Sequence, residues 1–233
     1  MMNNWLGIIQ DYLLPPTCIL CANPGEGGMD ICRACKDQLG KNTPCCYRCG
    51  ALFVQHTPRP LLCGACQKSP ISFDETHAPF IYQGAIRYLI SGLKFRAEFK
   101  NARLLAMLMA EHLATLAEHP EFLVPVPLHP SRYRERGFNQ ALEIARTLGR
   151  EMGIPVHFDG CIRQRNTPHQ IDLASKQRRK NMKNAFAVRH FPNAGHVAII
   201  DDVMTTGATA SELAMAMKRA GAARVDVWVC ARA

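Results

Sequence analysis

The sequence predicts an α/β fold in which a mainly parallel sheet with flanking helices follows a small cysteine-rich module. Three observations indicate this organisation. Nine of the 11 cysteines lie between Cys18 and Cys66, whereas strand-like and helical patterns alternate from residue 71 onward. A continuous apolar run at 196–200 is followed by a helix and a final strand, which implies a right-handed crossover between parallel strands. We therefore expect one domain over residues 1–70 and a second over residues 71–233.

The composition is that of an ordinary globular protein. Hydrophobic residues make up 48% of the 233 residues and charged residues 20%, which excludes disordered, collagenous and coiled-coil chains. No run approaches the roughly 18 apolar residues that a membrane-spanning helix needs, and the first residues lack the basic and apolar regions of a signal peptide. We expect a cytoplasmic protein without a transmembrane segment.

Positive charge is concentrated in one part of the chain. The 28 Lys and Arg residues and the 19 Asp and Glu residues give a net charge of +9. Thirteen basic and five acidic residues between 129 and 191 account for +8 of this excess. Such a local excess favours a polyanion or a phosphorylated ligand, although a solvated surface that keeps the protein soluble would have the same composition.

The cysteine-rich segment has the spacing of a zinc-binding module. Thiols stay reduced in the cytoplasm, so this density of cysteines indicates metal rather than disulfides. Each Cys-x-x-Cys knuckle can place two thiolates on one ion, and four thiolates at about 2.3 Å complete a tetrahedral structural zinc site. The four knuckles are Cys18 and Cys21, Cys32 and Cys35, Cys46 and Cys49, and Cys63 and Cys66.

Pairing consecutive knuckles gives two zinc-ribbon hairpins and two zinc sites. A single zinc with a decayed second site, and a cross-braced pairing of the first knuckle with the third, are alternatives that the spacing leaves open. Cys45 could replace the adjacent Cys46, but only Cys46 matches the spacing of the other knuckles. Because the module has few large apolar residues, metal binding supplies its folding energy, whether it is purely structural or also binds a ligand.

Alternating patterns place the remaining elements in order. Amphipathic spacing predicts helices, and short apolar or alternating runs predict strands. The predicted helices are 85–93, 99–118 and 141–152, and the predicted strands are 80–82, 122–128, 156–161, 196–200 and 225–229. A loop at 205–209 leads into a last helix that ends near Arg219. A ligand belongs at the carboxyl ends of such parallel strands.

Two adjacent acids mark the most informative part of the chain. Asp201 and Asp202 follow the apolar run, and unpaired buried carboxylates need solvent, a metal or polar ligand groups. The next loop is Thr205-Thr206-Gly207-Ala208-Thr209. It offers hydroxyls, backbone N–H groups and a helix N-terminus to a phosphate. Carboxylates that accept hydrogen bonds from a diol, next to a loop that binds phosphate, are what a ribose 5-phosphate site requires. The alternative is a capped helix after a turn, with an acidic pair that has no role in binding.

The block from Val197 to Thr209 resembles the phosphoribosyl pyrophosphate (PRPP) motif of type I phosphoribosyltransferases. The resemblance implies a type I phosphoribosyltransferase-like sheet, with Mg²⁺ bound together with PRPP. Asp201 and Asp202, the candidate catalytic residues, would then take the ribose hydroxyls, and the loop after them would take the 5-phosphate. In that family a loop after an earlier strand binds pyrophosphate, a role that falls here on Leu128, His129 and Arg132.

Over nearly its full length the chain is similar to the ComF/GntX family. Besides the knuckles and the PRPP block, the similarity is carried by Val126-Pro127-Leu128-His129-Pro130, Arg136-Gly137-Phe138-Asn139-Gln140, Arg163, Thr167, Gln170, Arg178 and Asn181. The resemblance implies a double zinc ribbon before the phosphoribosyltransferase-like domain. It also implies a role in DNA uptake during natural transformation or in the use of external DNA as a nutrient. The implied partners are PRPP, single-stranded DNA, and DNA-uptake channel or helicase proteins.

Within the positively charged region, the segment from Arg163 to Lys183 suits either of two roles. Its cations could stabilise a leaving pyrophosphate as a lid, or bind a nucleic-acid backbone through phosphate contacts. The candidate residues are Arg163, Arg165, Lys176, Arg178, Arg179, Lys180 and Lys183. Aromatic residues for base stacking are scarce, and Tyr133 is the best single candidate, so DNA binding should be mostly electrostatic and weakly sequence-selective.

Two functions are compatible with these features. The family resemblance and the location of the positive charge favour a DNA uptake or utilisation protein with a working PRPP site and single-stranded DNA binding. The alternative is an active Mg²⁺-dependent phosphoribosyltransferase that displaces pyrophosphate from the ribose C1, with a nucleobase or an amine as acceptor. No segment identifies that acceptor, so the sequence leaves turnover open.

Overall fold

The structure is a computed structural model that describes residues 15–54, 61–69, 71–165, 184–190 and 194–233. Within these ranges the chain forms seven strands. In chain order they are β1 (Thr76–His77), β2 (Phe80–Ile81), β3 (Phe122–Pro125), β4 (Cys161–Arg163), β5 (Phe186–Val188), β6 (His196–Met204) and β7 (Arg224–Arg232).

Five strands form one parallel sheet at the centre of the molecule. Its order is β1-β7-β6-β3, and β2 pairs with the same edge of β7 further along the strand. The longest ladder joins β6 to β7 and runs from His196 opposite Arg224 to Met204 opposite Arg232. Strands β4 and β5 form a separate antiparallel pair. The mainly parallel sheet that the sequence predicts is confirmed.

Seven helices accompany these strands in the same ranges. They are α1 (Arg33–Asp37), α2 (Gly64–Lys68), α3 (Gly84–Arg96), α4 (Phe99–Leu113), α5 (Pro130–Arg136), α6 (Gln140–Met152) and α7 (Ala208–Arg219). The first two belong to the cysteine-rich module, and the others flank the sheet. Across the described part of the chain, none of the helices combines the length and the apolar character needed to cross a bilayer.

Local sequence signals fix both ends of helix α6. The Asn139 carboxamide oxygen accepts a hydrogen bond from the Ala141 N–H at 3.0 Å, which satisfies one of the free amides of the first turn. Gly153 ends the helix with a φ of 68°, in the left-handed region where glycine has no Cβ to clash. Between these ends Ile144 and Leu148 are fully buried. The helix predicted over 141–152 is therefore confirmed.

The structure differs from the sequence prediction at the most informative strand. The prediction ends this strand at Ile200, before the acidic pair, whereas β6 continues to Met204 and contains both acids. The reason is β7, which continues to Arg232 and offers backbone partners opposite Asp201 and Val203. Two consecutive acids do not end a strand while its neighbour still supplies hydrogen bonds.

The strand predicted at 156–161 is also different. A single parallel bridge joins Val156 to Leu123, and β4 begins only at Cys161. The apolar run alone does not form the predicted strand. The chain pairs with the edge of β3 only at Val156 and then leaves that edge before β4 begins.

Helices cover both faces of the sheet. On one face Ala198, Ile200 and Trp228 pack in a core with α3, α4 and α6. On the other face Val197 and Ile199 pack with α7 and the β4–β5 pair. Because neighbouring residues of a strand point to opposite faces, β6 contributes buried side chains to both cores in turn. This explains why the strand has a continuous apolar sequence rather than an alternating one.

The eight knuckle cysteines form two groups of four thiols. The groups are Cys18, Cys21, Cys32 and Cys35, and Cys46, Cys49, Cys63 and Cys66. Within each group all Sγ atoms lie within 4.8 Å of one another; Cys21 and Cys32 are 3.5 Å apart, and Cys49 and Cys63 are 3.6 Å apart. Four sulfurs about 2.3 Å from a tetrahedral zinc stand about 3.8 Å apart, so both groups fit this ion. Consecutive knuckles are paired as predicted, which excludes cross-bracing, and Cys45 is in neither group.

The cysteine-rich module packs directly on the sheet domain. Arg103 of α4 donates to Asp30 at 3.1 Å, and the Lys36 ammonium lies 2.6 Å from Glu111 at the other end of that helix. Ile31, which is fully buried, joins the core formed with α3, α4 and α6. Partly exposed ion pairs contribute little to stability, so apolar burial holds the module in place and the ion pairs set its orientation.

We expect two zinc ions per chain, one in each thiol group. Cys21→Ser removes a thiolate from the first group and Cys49→Ser from the second, so each variant should lose one zinc because three thiolates hold the ion less tightly than four. Elemental analysis of the purified protein measures the content. Cys161→Ser removes a thiol outside both groups and should keep both ions. A wild-type content of one or none would contradict the two-site arrangement.

Candidate functional site

The acidic pair lies at the edge of the sheet where β3, β6 and β7 have their carboxyl ends. Asp201 and Asp202 are consecutive residues of β6, so their side chains point to opposite faces of the sheet. Asp202 is only 2% exposed, whereas Asp201 is partly exposed. The two neighbouring carboxylates therefore have different surroundings.

A lysine that sequence reasoning missed neutralises Asp202. The Lys94 ammonium of α3 lies 2.5 Å from Asp202 Oδ2. Burial opposes the charged form of both groups, but their mutual attraction outweighs it, so the pKa of Asp202 is lowered and the pKa of Lys94 is raised. Separating the two would leave a charge buried without a partner, which is strongly unfavourable.

Asp201 has the opposite electrostatic character. Burial and the charge on Asp202 raise the pKa of the Asp201 carboxyl. Its Oδ1 accepts a hydrogen bond from the Asp202 N–H at 2.9 Å, which fixes the direction of the side chain. A carboxyl with a raised pKa at an accessible edge is typical of functional groups, because a merely structural acid would have its charge paired.

The loop after β6 turns sharply into helix α7. Gly207 caps the helix with a φ of 72°, a conformation that strains any residue with a Cβ. The Ala208 N–H lies 3.4 Å from Thr206 Oγ1. Thr205 is exposed, and Thr206 and Thr209 are partly exposed. These hydroxyls and the first amides of α7 can together hold a phosphate group.

Arginines from two other elements lie near the acidic pair. Arg136 of α5 interacts electrostatically with Asp202 and Asp201, and Arg163 of β4 interacts with Asp201. Burial lowers the pKa of both arginines, and the charge of Arg132 lowers it further. These guanidinium groups make the site suitable for a multiply charged anion.

The segment predicted to bind pyrophosphate is largely helical. The sequence suggested a loop from Leu128 to Arg132, whereas α5 begins at Pro130. Proline suits the first helical position, and His129 Nδ1 accepts from the Ser131 N–H at 3.3 Å as a cap. Leu128 and His129 thus precede the helix. Arg132 lies on the helix, four positions before Arg136, which interacts with the acidic pair. Residues at this spacing share a helix face.

Part of the predicted basic segment lies outside the described residues. These positions are Lys176, Arg178, Arg179, Lys180 and Lys183. Of the described members, Arg163 is part of the site and Arg165 is exposed just after β4. The role of this segment as a lid or as a nucleic-acid strip stays a prediction.

Sequence reasoning missed two residues that shape the site. Lys94 interrupts the apolar stripe of α3, and a cation within such a stripe is the signal that could have identified it. Arg232 ends β7, and its guanidinium donates to the Cys49 carbonyl at 3.0 Å and to the Met204 carbonyl at 3.1 Å. It therefore joins the second thiol group to the end of β6, directly before the threonine loop. An arginine at a strand end gives no comparable signal.

A further cluster of metal-type side chains lies at the opposite edge of the sheet. Glu75, His77 and Asp226 each place one ligand atom within 4.8 Å of the others. Arg224, however, lies 3.0 Å from an oxygen of each acid, and His196 Nε2 is 2.7 Å from Asp226. Arg224 and the His196 ring thus already occupy carboxylate oxygens of this cluster, which serves as a polar network that joins β6 and β7 to the segment before β1.

Comparisons with known proteins support both parts of the chain. Residues 9–67 match the family of the double zinc ribbon domain. The chain is 34% identical over 226 residues to the DNA utilization protein YhgH of Escherichia coli O157:H7, covering 94% of this chain and 98% of that protein. It is 34% identical over 216 residues to competence protein F of Haemophilus influenzae, covering 87% of this chain and 90% of that protein.

A solved structure also aligns with the chain. The glutamine PRPP amidotransferase from B. subtilis matches 55% of this chain and 26% of its own, at 19% identity and a TM-score of 0.38, which is too low to bear on the site. The sequence match to the E. coli protein, over 94% of the chain, necessarily spans both the cysteine-rich module and the sheet domain. The chain therefore belongs to the ComF/GntX family, to which these DNA utilization and competence proteins belong.

Proposed function

We propose that the protein acts in DNA uptake or utilisation, binds PRPP with Mg²⁺ at the carboxyl edge of its sheet, and binds single-stranded DNA. The observation that carries the PRPP part is the unequal acidic pair: Lys94 holds one carboxylate, and the other lies at the accessible edge beside a hydroxyl-rich loop. The names of the two relatives, a DNA utilization protein and a competence protein, support the DNA part.

In this proposal Asp201 accepts hydrogen bonds from the ribose hydroxyls. It is the partly exposed acid of the pair. Asp202 belongs to the same sugar subsite, but Lys94 holds its carboxylate. Its N–H donates to Asp201 Oδ1 and so orients the carboxylate that faces the sugar. A direct bond from Asp202 to a ribose hydroxyl requires Lys94 to move.

The 5-phosphate and the pyrophosphate of PRPP lie on opposite sides of Asp201 in this proposal. The loop from Thr205 to Thr209 takes the 5-phosphate through hydroxyls and the N-terminal amides of α7. Lys94 and Asp202 cancel, and Glu135 pairs with Arg132 at 2.8 Å, so Arg136 and Arg163 carry the positive charge that favours the pyrophosphate. Mg²⁺, which prefers oxygen ligands, arrives with the pyrophosphate as part of the ligand and offsets its charge.

Single-stranded DNA binding rests on charge and on the relatives. The segment from 129 to 191 carries +8, and neutralising phosphates releases counterions from the strand. Part of this charge, including the exposed Arg134, lies on α5 beside the proposed PRPP site. A cytoplasmic location and contacts with channel or helicase proteins stay predictions from the sequence.

At a pH high enough to ionise Asp201, Asp201→Asn should weaken PRPP binding in the presence of Mg²⁺ by roughly 10- to 100-fold, because a charged hydrogen-bond acceptor for the ribose is lost. Isothermal titration calorimetry measures the dissociation constant. Asp37→Asn neutralises an exposed carboxylate of the zinc module and is the matched control, which should bind like wild type. Wild-type protein that does not bind PRPP would contradict the proposal.

Pyrophosphate release on adding a nucleobase or an amine would show that the alternative, turnover, is correct.

The affinity for PRPP should rise with pH around neutrality. The pKa of Asp201 is raised, so a larger fraction than for an ordinary aspartate is uncharged at neutral pH, and raising the pH forms the carboxylate that accepts from the diol. The Asn side chain of Asp201→Asn cannot ionise, so the affinity of this variant should change less with pH. The pyrophosphate of PRPP titrates equally with both proteins, so the difference between the two profiles reports on Asp201 alone. Titrations in a pH series measure both profiles; parallel profiles would contradict the role of Asp201.

Single-stranded DNA binding should weaken steeply with salt. Each phosphate contact contributes a slope of about −0.7 to a plot of log affinity against log salt. Arg134→Ala should reduce the slope by about one contact, whereas Arg219→Ala, an exposed residue at the far end of α7, should leave it unchanged. Fluorescence anisotropy with labelled oligo(dT) at several salt concentrations measures the slopes. An affinity independent of salt would contradict binding through phosphate contacts.

A further inference from the structure

Four aromatic residues expose their rings on α3, α4 and α5. Phe95 is 77% exposed, Phe99 50%, Tyr88 49% and Tyr133 49%. Apolar ring surface in water is unfavourable, and a concentration of it on a folded protein marks a site of interaction. We call these four residues the aromatic corner.

Packing brings the members of the aromatic corner to one region. Tyr88 and Phe95 are seven positions apart on α3 and therefore lie on the same side of that helix. A short left-handed turn leads from α3 into α4, which begins at Phe99. The Phe99 ring lies 5.0 Å from the ring of Phe138, which follows α5 almost directly. Phe99, which follows α3 after one turn, is thus in contact with a residue just beyond the end of the helix that carries Tyr133.

Positive charge is interleaved with these rings. The segments 95–100 and 130–136 contain five basic residues and two acidic ones, a balance of +3. The Arg96 guanidinium pairs with Glu98 at 2.8 Å and lies 5.3 Å from the centre of the Tyr88 ring, within the range of a cation–π contact. Lys100 is exposed in the first turn of α4. Flat rings among cations fit a partner that has both phosphates and planar bases.

The aromatic corner also borders the proposed PRPP site. Phe95 directly follows Lys94, whose ammonium lies 2.5 Å from Asp202. On α5, Tyr133 lies one turn before Arg136, which interacts with the acidic pair. A nucleic-acid strand on the corner would therefore run next to the edge of the sheet where the sugar phosphate binds.

We propose that the aromatic corner is the surface on which bases of single-stranded DNA stack, while Lys100 and Arg134 contact the phosphates. The inference rests on the proposed single-stranded DNA binding and identifies its location and mode. Every base has a π-face, so stacking of this kind tolerates all sequences. It adds a component from the bases to an interaction that the sequence alone predicts to be mostly electrostatic.

A second copy of the chain is the main competing occupant. In a two-fold dimer the aromatic corner of one copy would meet that of the other. Two surfaces, each with a charge of +3 from its segments 95–100 and 130–136, would then face each other. Like charges in contact are unfavourable, whereas a polyanion relieves the repulsion within each surface. Charge complementarity therefore favours DNA over self-association at the aromatic corner.

Strands with and without bases test the proposal. Wild type should bind oligo(dT) more tightly than an abasic strand of the same length, by roughly 5- to 150-fold for one stacked base. Phe95→Ala should lower this preference by about the contribution of one stacked base and keep the salt dependence, because the phosphate contacts remain. Phe95→Trp should keep the preference. Phe158→Ala, which removes a ring that is 56% exposed outside the corner, is the matched control and should behave like wild type.

The possible outcomes separate this proposal from the broader one. Equal binding of both strands by wild type, or an unchanged preference in Phe95→Ala, would overturn the stacking surface while DNA binding itself stands. If wild type binds neither strand, the proposed DNA binding fails and the stacking surface with it. If Phe95→Ala converts a dimer to a monomer in sedimentation and binds DNA normally, the corner is a contact between copies. Circular dichroism and zinc content establish that each variant is folded.

Discussion

The ion pair between Lys94 and Asp202 is the constraint on which the site depends. Two adjacent carboxylates near the end of a mostly buried strand would repel each other, and each would also lose the solvation of its charge. Lys94 removes one of the two charges by pairing with the inner acid. The outer acid then remains at the edge of the sheet, with its side chain directed by the backbone of its neighbour. A repeated residue type therefore has two different roles.

The same edge of the sheet connects the other parts of the protein. Lys94 lies near the end of α3, immediately before the exposed ring of Phe95, so the acidic site and the aromatic corner share a helix. Arg232 links the carbonyl of a thiol-group cysteine to the end of β6. The zinc module is thus in contact with the strand that carries the acids. This arrangement gives a physical route by which metal loss would disturb the sugar site.

Features that depend on neighbouring residues were predictable from the sequence, and features that depend on distant contacts were not. The knuckles, the apolar strands and the threonine loop are contiguous patterns, and their chemistry follows from local spacing. The partner of Asp202 could not be predicted in this way, because Lys94 lies on another element. The same holds for Arg232, which reaches a carbonyl 183 positions away. The length of β6 was also underestimated, since the register of β7 determines it.

A crystal structure of the protein with PRPP and Mg²⁺ tests the central claim most directly. The account predicts ribose hydroxyls within hydrogen-bond distance of Asp201, the 5-phosphate against the loop that begins at Thr205, and the pyrophosphate towards the arginines of α5 and β4. A pentose elsewhere on the protein, or crystals grown with saturating ligand that show none at this edge, would contradict it.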